Sequence, residues 1–383
     1  MRFLHTSDWH LGRTLHGVDL TAHQQAFLDH LVDVVREERV DAVLVAGDVF
    51  DRAIPPVESV AQLSDALRRL AEHAAVVVTP GNHDSAIRLG FGADLMRDRV
   101  RVLARVEDLH RPVVLPGDGH DVLVYGLPYL DPDAARHALT EPGADAPLAR
   151  SHAAVLGAAM SRVRADLADR TRAAGADGRG APRSVVLAHA FVVGGVDHAP
   201  AAVFDGIDYV ALGHLHGPQR VDGAGPTVLR YSGSPLAYSF SEARHAKSSV
   251  LVDLGPSGAP GVTLVPTPVP RRLTDLTGPL DDLLGAAGDP HLDDWVRVTV
   301  TDAHRPADLY RRVRARFPHA LVVQHQPPAR DAVPRLAEVT AARDPLEVAA
   351  EFVEHVSGAR PTDAEAAVLR RAYEQVVAAE RSA

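Results

Sequence analysis

Residues 41–51 read DAVLVAGDVFD, and this stretch decides the class of fold. Its first half is a short apolar run, which predicts a strand at 41–45 that leads into Gly47 and Asp48. Four segments alternate around it, namely apolar runs at 2–6 and 75–79 and amphipathic helical patterns at 22–38 and 57–72. This order of strands and helices predicts a mainly parallel sheet with helices on its faces.

The rest of the chain extends the α/β pattern and then divides it. A long helical pattern at 148–173 lies among short apolar runs that predict a mixed or antiparallel sheet, at 122–127, 185–188, 209–212, 228–232, 248–254 and 262–266. Three prolines between positions 266 and 270 indicate an extended connector. We therefore expect three parts: a main domain at 1–266, a small α/β capping domain at 267–343, and helices at 344–383.

Composition and charge limit the classes of function. The 383 residues are 46% apolar and include no cysteine, and no apolar run reaches the roughly 18 residues of a membrane span. We expect a globular, cytoplasmic protein without a membrane segment. The 40 basic and 50 acidic residues give a formal charge of −10, which weighs mildly against tight autonomous binding to nucleic acid. Bound metal, a local arginine cluster or a partner could offset that charge.

Side chains that bind metals follow five of the predicted strands, where α/β proteins usually place their sites. They are Asp8 and His10, then Asp48, then Asn82 and His83, then His189, and finally His214 and His216. If the segment after the first strand stays extended, residues two apart point the same way, so that Asp8 and His10 would face one ion. Glycines beside these residues would permit close backbone approach, at Gly47, Gly81 and Gly213.

Taken singly, these residues are unremarkable, because an Asp after a strand is usually a turn residue and a lone His usually lies on the surface or in the core. Their order along the chain favours a shared site. Carboxylate, amide and imidazole ligands without sulfur suit Mn²⁺, Fe or Zn²⁺. The set is large enough for two ions with a bridging carboxylate, and two ions about 3.5–4 Å apart can hold a phosphate and stabilise charge on its oxygens.

The motifs DxH (8–10), GD (47–48), GNHD (81–84), a later histidine (189) and GHxH (213–216) resemble those of the calcineurin-like metallophosphoesterase superfamily. The neighbouring residues are similar to the SbcD family of bacterial nucleases, at 5–12 (HTSDWHLG), 45–51 (VAGDVFD), 211–216 (ALGHLH) and 231–235 (YSGSP). The likeness is dense over residues 1–255 and architectural beyond them. It implies a four-layer αββα sandwich with a metal pair at the strand ends, followed by the capping domain and the C-terminal helices.

Position by position, the resemblance implies a division of roles. It assigns one ion to Asp8, His10 and His216, the other to Asn82, His189 and His214, and the bridge between them to Asp48. His83 would face the phosphate and protonate the leaving oxygen or stabilise charge, with Asp84 in an orienting role; the alternative for His83 is to orient Asp84. Asp51 stands where archaeal and eukaryotic relatives commonly have a histidine, which puts a second catalytic histidine in doubt.

The function implied is cleavage of DNA in double-strand-break repair with two ions, most simply Mn²⁺. The activities would be an exonuclease on double-stranded ends and an endonuclease on single strands or hairpins. The partners implied are a second copy of the chain and an SbcC-like ATPase that docks on the C-terminal helices; packing of those helices on their own domain is the alternative. Arg13, His16 and Tyr231 are candidate DNA contacts, with a purely structural role as the alternative. Two rival functions stay open: a small-molecule or cyclic-nucleotide phosphodiesterase, and a non-catalytic DNA-end scaffold.

Overall fold

The chain forms two compact units, Met1–Leu273 and Thr274–Ala383. The computed structural model describes residues 1–96, 99–117, 119–192, 199–223, 225–328 and 344–380. Within these residues the first unit contains two six-stranded sheets and a two-stranded hairpin.

The elements of the first unit follow one another along the chain as strands and helices. The strands are β1 (Arg2–Thr6), β2 (Thr14–Leu15), β3 (Val18–Asp19), β4 (Ala42–Ala46), β5 (Ala75–Thr79), β6 (Val100–Val102), β7 (Val113–Leu115), β8 (Val122–Leu127), β9 (Arg183–His189), β10 (Tyr209–Gly213), β11 (Gln219–Val221), β12 (Val228–Tyr231), β13 (Ser248–Asp253) and β14 (Gly261–Pro266). The helices are α1 (Thr21–Glu37), α2 (Val57–Ala71), α3 (Ala86–Leu89), α4 (Pro132–Leu139) and α5 (His152–Ala176).

Both large sheets are parallel at their centres. The first has the order β14-β13-β1-β4-β5-β6, in which β1, β4, β5 and β6 are parallel and β13 and β14 are antiparallel additions. The second has the order β11-β12-β10-β9-β8-β7, in which β12, β10, β9 and β8 are parallel. The prediction of a mainly parallel first sheet is confirmed. The later strands do not form a single sheet, because β13 and β14 return to the first one.

The two sheets pack face to face, and helices cover their outer faces. Every residue of β4 is buried, and its side chains alternate between two cores. Leu44 shares the core between the sheets with Leu187 of β9, whereas Val43 and Val45 share an outer core with Phe27 of α1. A third apolar cluster joins the outer face of the second sheet to α4 and α5. The layers are therefore helix, sheet, sheet and helix, which confirms the four-layer αββα fold.

The short elements of this unit are absent from the predicted pattern. The hairpin strands β2 and β3 have two residues each and α3 has four, and β6 and β11 carry partly exposed side chains without an apolar run. The long helix predicted from residue 148 is α5, and it begins at His152. Ser151 sets that start, because its side chain accepts a hydrogen bond from the backbone N–H of Ala154.

The second unit begins with a small α/β module. Its elements are β15 (Leu273–Gly278), α6 (Leu280–Leu284), β16 (Trp295–Val300), α7 (Leu309–Arg316) and β17 (Ala320–His325). The strands form a sheet in the order β15-β16-β17, and side chains of β16 share an apolar core with those of α6 and α7. The end of the predicted capping domain, 329–343, lies outside the described residues, and the three-part division of the chain stays a prediction.

Two further helices follow, α8 (Pro345–Ser357) and α9 (Asp363–Glu380). Gly358 ends α8 with a positive φ of 76°. A capping box opens α9: the N–H of Glu365 donates to Thr362 Oγ1 at 3.4 Å, and the N–H of Thr362 donates to Glu365 Oε2 at 2.8 Å. Within the described ranges, none of the helices is both long enough and apolar enough to span a membrane.

Candidate metal centre

The candidate ligands meet at the edge where β1, β4, β5, β9 and β10 end. Backbone hydrogen bonds join the loops after β1 and β4: the N–H of Asp8 donates to Gly47 O at 3.0 Å, and that of His10 donates to Asp48 O at 3.0 Å. The strands β9 and β10 bring the later histidines to the same edge. Because parallel strands present their carboxyl ends together, residues far apart in the sequence become neighbours here.

The backbone at the candidate ligands is not extended. The extended segment expected from the sequence therefore does not explain why Asp8 and His10 point the same way. The φ angles are 54° at Asp8, 46° at His10, 49° at Asp48 and 110° at His214. These are four of the seven non-glycine residues with positive φ in the described part of the chain. Such conformations cost about 1–3 kcal/mol each and persist where surrounding contacts impose them. Asp8 and His10 therefore face one site through these left-handed backbone conformations, and strand alternation plays no part.

Asp48 lies in the middle of the site. Its Oδ2 is 3.4 Å from His189 Nε2, 3.6 Å from His10 Nε2 and 3.9 Å from His83 Nε2. Its Oδ1 accepts a hydrogen bond from the backbone N–H of His83 at 2.9 Å. Burial opposes ionisation, but the hydrogen bond and charge of His189, together with the charge of His10, outweigh it and lower the pKa of Asp48. A buried carboxylate among three imidazoles is placed where a bridging ligand would be needed.

A first group of converging ligand atoms comprises Asp8, His10 and His216, whose ligand atoms lie within 4.8 Å of one another. His10 Nε2 and His216 Nε2 are 3.1 Å apart. Asp8 is held from behind, because Ser7 Oγ donates to its Oδ2 at 2.5 Å and the backbone N–H of His214 lies 3.2 Å from both of its oxygens. Asp8 and His10 are buried and His216 is partly buried, so their side chains have little freedom.

A second group surrounds Asn82. Its Oδ1 lies 3.0 Å from His189 Nε2 and 3.1 Å from His214 Nδ1. His189 Nδ1 donates to the carbonyl oxygen of Ala46 at 2.9 Å, which turns Nε2 toward the site. Burial disfavours a charged His189, but the hydrogen bond and charge of Asp48 outweigh burial and raise the pKa of His189 to about 9. Burial and the neighbouring His189 charge lower the pKa of His214 to about 4.

The donor set fits a pair of divalent metal ions. Two histidine nitrogens, His10 Nε2 and His216 Nε2, face each other at 3.1 Å. Three groups of ligand atoms overlap pairwise, through Asp8, His10 and Asp48. Adjacent groups that share ligands suit two neighbouring ions, and the mixture of oxygen and imidazole without sulfur suits Mn²⁺, Fe or Zn²⁺.

Glycines beside the ligands allow this close approach, as the sequence predicts. A Cβ atom built on Gly213 would lie 2.8 Å from His189 Nδ1 and would overlap the carbonyl oxygen of Ala46. A Cβ atom built on Gly81 would overlap the carboxylate and backbone of Asp48. Any larger residue at these positions would push a ligand-bearing segment away.

His83 and Asp84 are neighbours in the sequence with different surroundings. The His83 ring is 38% exposed, and its Nδ1 donates to the carbonyl oxygen of Asp51 at 2.8 Å, which leaves Nε2 on the side of Asp48. The Asp84 carboxylate accepts hydrogen bonds from the backbone N–H groups of Val49, Phe50 and Gly81. Asp84 therefore orients the loops after β4 and β5, and no hydrogen bond between its carboxylate and the His83 ring is present among the described residues.

One of the three candidate DNA contacts is wrong. Tyr231 is fully buried, and its hydroxyl donates to Ala190 O and accepts from the N–H of Val192, each at 2.7 Å. The alternation along β12 turns this ring into the core, so that it supports the second sheet and cannot touch a nucleic acid. Arg13 is partly exposed and His16 is exposed at the turn between β2 and β3. Contact of these two with DNA stays a prediction.

Two charged residues beside the site were missed in the sequence. Glu242 Oε1 accepts a hydrogen bond from His216 Nδ1 at 2.9 Å, and Glu242 Oε2 lies 2.6 Å from Lys247 Nζ. Both residues are buried. A compositional signal could have found Lys247, because it is the only lysine in a chain with 40 lysine and arginine residues.

Known proteins share these features. The family model for calcineurin-like phosphoesterase matches residues 1–218, and the model for type 5 capsule protein repressor C-terminal domain matches residues 269–357. The SbcD subunit of the SbcCD nuclease of Rhodobacter capsulatus is 35% identical over 90% of this chain and 88% of its own length. The SbcD subunits of the same nuclease are 37% identical in Bacillus subtilis, over 67% of each chain, and 30% identical in Escherichia coli K12, over 82% of each chain.

The chain therefore belongs to the calcineurin-like phosphoesterases, and it is a metal-dependent phosphoester hydrolase that uses divalent ions. Within that class it belongs to the SbcD family, the nuclease subunits of SbcCD. Both levels of the resemblance found in the motifs are confirmed.

Proposed function

We propose that this protein is a Mn²⁺-dependent DNA phosphodiesterase that acts in double-strand-break repair with an SbcC-like ATPase. It would shorten double-stranded ends and cut single strands or hairpins internally, in the cytoplasm. The observation that carries the proposal is the complete set of ligands, with His83, at one edge of the sheets. DNA is proposed as the substrate because similar proteins are named as SbcD subunits of the SbcCD nuclease.

Two adjacent groups of side chains support the assignment of two ions. One ion would be held by Asp8, His10 and His216, the other by Asn82, His189 and His214, and Asp48 would bridge them. Bound divalent ions would polarise the phosphodiester and lower the pKa of water. Carboxylate and amide oxygens with imidazole and no sulfur suit Mn²⁺, Fe or Zn²⁺, and Mn²⁺ is proposed among these because the resemblance to the SbcD family implies it.

The chain's own part in bond cleavage is proposed to come from His83. Its ring is 38% exposed, so a bound phosphodiester can reach it. The carbonyl oxygen of Asp51 holds Nδ1, and Nε2 is left free to act toward the site. A protonated Nε2 would donate to the oxygen that leaves phosphorus or stabilise charge on the phosphate, which is typically worth about 10²–10⁴-fold in rate.

A second copy of the chain is proposed to bind at the α2–α3 surface, defined as Ile54, Val60, Ile87, Phe91 and Leu95. These neighbouring apolar side chains are 48% to 88% exposed. A contiguous apolar surface of this kind usually marks an interface, and the SbcD resemblance implies a homodimer. Ile87→Asp with Phe91→Asp should therefore halve the mass measured by analytical ultracentrifugation. A wild-type monomer, or a dimer in the double variant, would contradict this assignment.

The SbcC-like ATPase is proposed to dock on α8 and α9. No residue of α8 is buried, and its Phe352 and Val356 are 58% and 67% exposed; on α9, Val368 is 62% exposed. Apolar side chains along helices fit a partner that supplies helices or a groove. Such a partner could also provide the cationic surface that a chain of formal charge −10 lacks.

Cleavage of end-labelled linear duplex DNA tests the proposed function. The purified chain should shorten this DNA with Mn²⁺ and leave it intact with chelator, and Mg²⁺ in a parallel reaction tests the choice of metal. His83→Ala should lower the rate by about 10²–10⁴-fold while equilibrium dialysis shows unchanged Mn²⁺ binding. His73→Ala is the matched control, because this exposed histidine lies at the opposite end of β5. Cleavage that survives both chelator and His83→Ala would place the chemistry elsewhere.

The same assay separates the rival functions. Hydrolysis of a small chromogenic phosphodiester, with no DNA cleavage even when the ATPase is present, would favour a small-molecule or cyclic-nucleotide phosphodiesterase. Binding to DNA ends without hydrolysis of either substrate would favour a scaffold.

A further inference from the structure

A buried ion pair lies behind His216. Lys247 and Glu242 are 5% and 6% exposed, and Lys247 Nζ donates to Glu242 Oε2 at 2.6 Å. The same ammonium donates to Ser234 Oγ at 2.8 Å and to His216 O at 3.0 Å, so that all three of its N–H groups are used. Desolvation largely offsets the attraction within such a pair, and it is therefore a poor source of stability. The other contacts of the pair indicate a functional reason for it.

The second oxygen of Glu242 touches a proposed metal ligand. His216 Nδ1 lies 2.9 Å from Glu242 Oε1, and because a carboxylate only accepts, Nδ1 carries the hydrogen. Nε2 of His216 is then the nitrogen with a free lone pair, and it faces His10 Nε2 at 3.1 Å. His214 instead turns Nδ1 toward the site, where this atom lies 3.1 Å from Asn82 Oδ1. The two histidines of one motif therefore turn different ring nitrogens toward the site.

We propose that Glu242, held by Lys247, is a positioning residue that fixes the tautomer and ring orientation of His216 for binding a divalent metal ion. The inference rests on the proposed role of His216 as a ligand. Carboxylates behind metal-bound histidines orient the ring and raise its basicity, and their removal typically weakens metal binding by about 10–100-fold. The ring of His189 is oriented by the backbone oxygen of Ala46 instead of a carboxylate. Glu242 should therefore affect only the ion on the side of His216.

The choice of lysine supports this role. Lys247 is the only lysine among 40 lysine and arginine residues. An ammonium is compact and meets three acceptors in three directions, whereas a guanidinium is planar and larger. Lys247→Arg should therefore fail to replace the native residue and should weaken Mn²⁺ binding at the His216 side.

Calorimetric titration of the full chain with Mn²⁺, without nucleic acid, tests the inference. The wild-type chain should bind two ions. Glu242→Leu with Lys247→Met leaves no unpaired buried charge and should keep the fold, but one ion should bind about 10–100-fold more weakly and the other as in the wild type. Glu242→Gln is the second variant, with a smaller effect on the same ion because its amide oxygen still accepts from His216. Arg183→Met with Asp208→Asn, which removes an ion pair of 2.9 Å at the opposite ends of β9 and β10, should leave both affinities unchanged.

The tautomer gives a readout independent of affinity. Long-range ¹⁵N–¹H spectra of the metal-free chain should show Nδ1–H for His216 in the wild type and a shift toward Nε2–H in the Glu242→Leu, Lys247→Met variant. The His214 signals should not change. Wild-type affinity for both ions in that variant, with an unchanged His216 tautomer, would overturn the inference alone. Failure of the wild-type chain to bind two ions would overturn the proposed metal site itself, so the two failures are distinguishable.

Discussion

The metal centre and the C-terminal helices α8 and α9 contrast in how their side chains are satisfied. At the centre, polar side chains such as Asp48 are buried and surrounded by partners on a strained backbone. On α8 the backbone is regular and capped, but Phe352 and Val356 are 58% and 67% exposed. The centre therefore needs only small ions to be complete, whereas the helices present a surface that suits another protein. From this contrast we predict that catalysis and assembly can be disrupted separately in this chain.

The largest expected effect is loss of the central carboxylate. Asp48→Ala removes the group that faces His10, His83 and His189, so hydrolysis of DNA and of small phosphodiesters should fall below detection. Titration calorimetry should show weaker Mn²⁺ binding at both positions. Asp41→Ala, an exposed aspartate at the opposite end of β4, should behave as the wild type. Two ions bound with wild-type affinity to the Asp48→Ala variant would contradict the assignment of Asp48 as the bridging ligand.

Truncation should produce the opposite pattern. A chain without residues 345–383 should lose co-purification with the ATPase, because the exposed apolar faces of α8 and α9 are removed. Its Mn²⁺-dependent hydrolysis of a small phosphodiester should remain within about twofold of the wild type, since no proposed ligand lies there. Phe352→Asp with Val356→Asp should also weaken the pull-down, and Glu347→Ala on the same helix should not. Retained co-purification would move the docking surface elsewhere.

One added methyl group in each region sharpens the contrast further. Gly213→Ala should destabilise the fold by about 1–3 kcal/mol and weaken Mn²⁺ binding, because the new Cβ would lie 2.8 Å from His189 Nδ1. Gly358→Ala should cost about 1–2 kcal/mol from the positive φ of 76° at the end of α8, with Mn²⁺ binding unchanged. Thermal denaturation and titration calorimetry measure the two effects. Equal losses of metal affinity would contradict the separation of the regions.

The last prediction concerns the pH dependence of stability. Burial, with some help from the Arg230 charge, lowers the pKa of His5 to about 3, so this β1 residue stays neutral in the folded chain where the unfolded chain binds a proton. Stability should therefore fall as pH is lowered from 6.5 toward 3, by at most about 1.4 kcal/mol per pH unit from this residue. His5→Gln should flatten the curve of unfolding free energy measured with urea. His355→Gln, on an exposed position of α8, should leave its slope unchanged.

The order of strands and helices and the positions of the candidate ligands could be predicted because their signals are local, whereas the four-layer arrangement came from the family resemblance. A strand buried on both faces, such as β4, is apolar throughout. Polar residues that follow such a strand indicate a site at its end. The orientation of Tyr231 could not be predicted this way, because the face it occupies depends on how β12 pairs and packs. The left-handed backbone at Asp8 and His10 could not be predicted from the sequence either, because contacts with the loop after β4 impose it.

The amino-acid sequence specifies the order of strands and helices, the membership of a phosphoesterase family, and a set of candidate oxygen and nitrogen ligands without thiols. Tertiary packing decides which ring nitrogen each histidine offers, that Asp48 lies at the middle, and that Glu242 and Lys247 stand behind His216. The physical reason is the separation along the chain of the residues that must come together. Side-chain chemistry is a property of one residue, whereas a 3.1 Å approach between His10 and His216 joins positions 206 residues apart and exists only where the sheets close on each other.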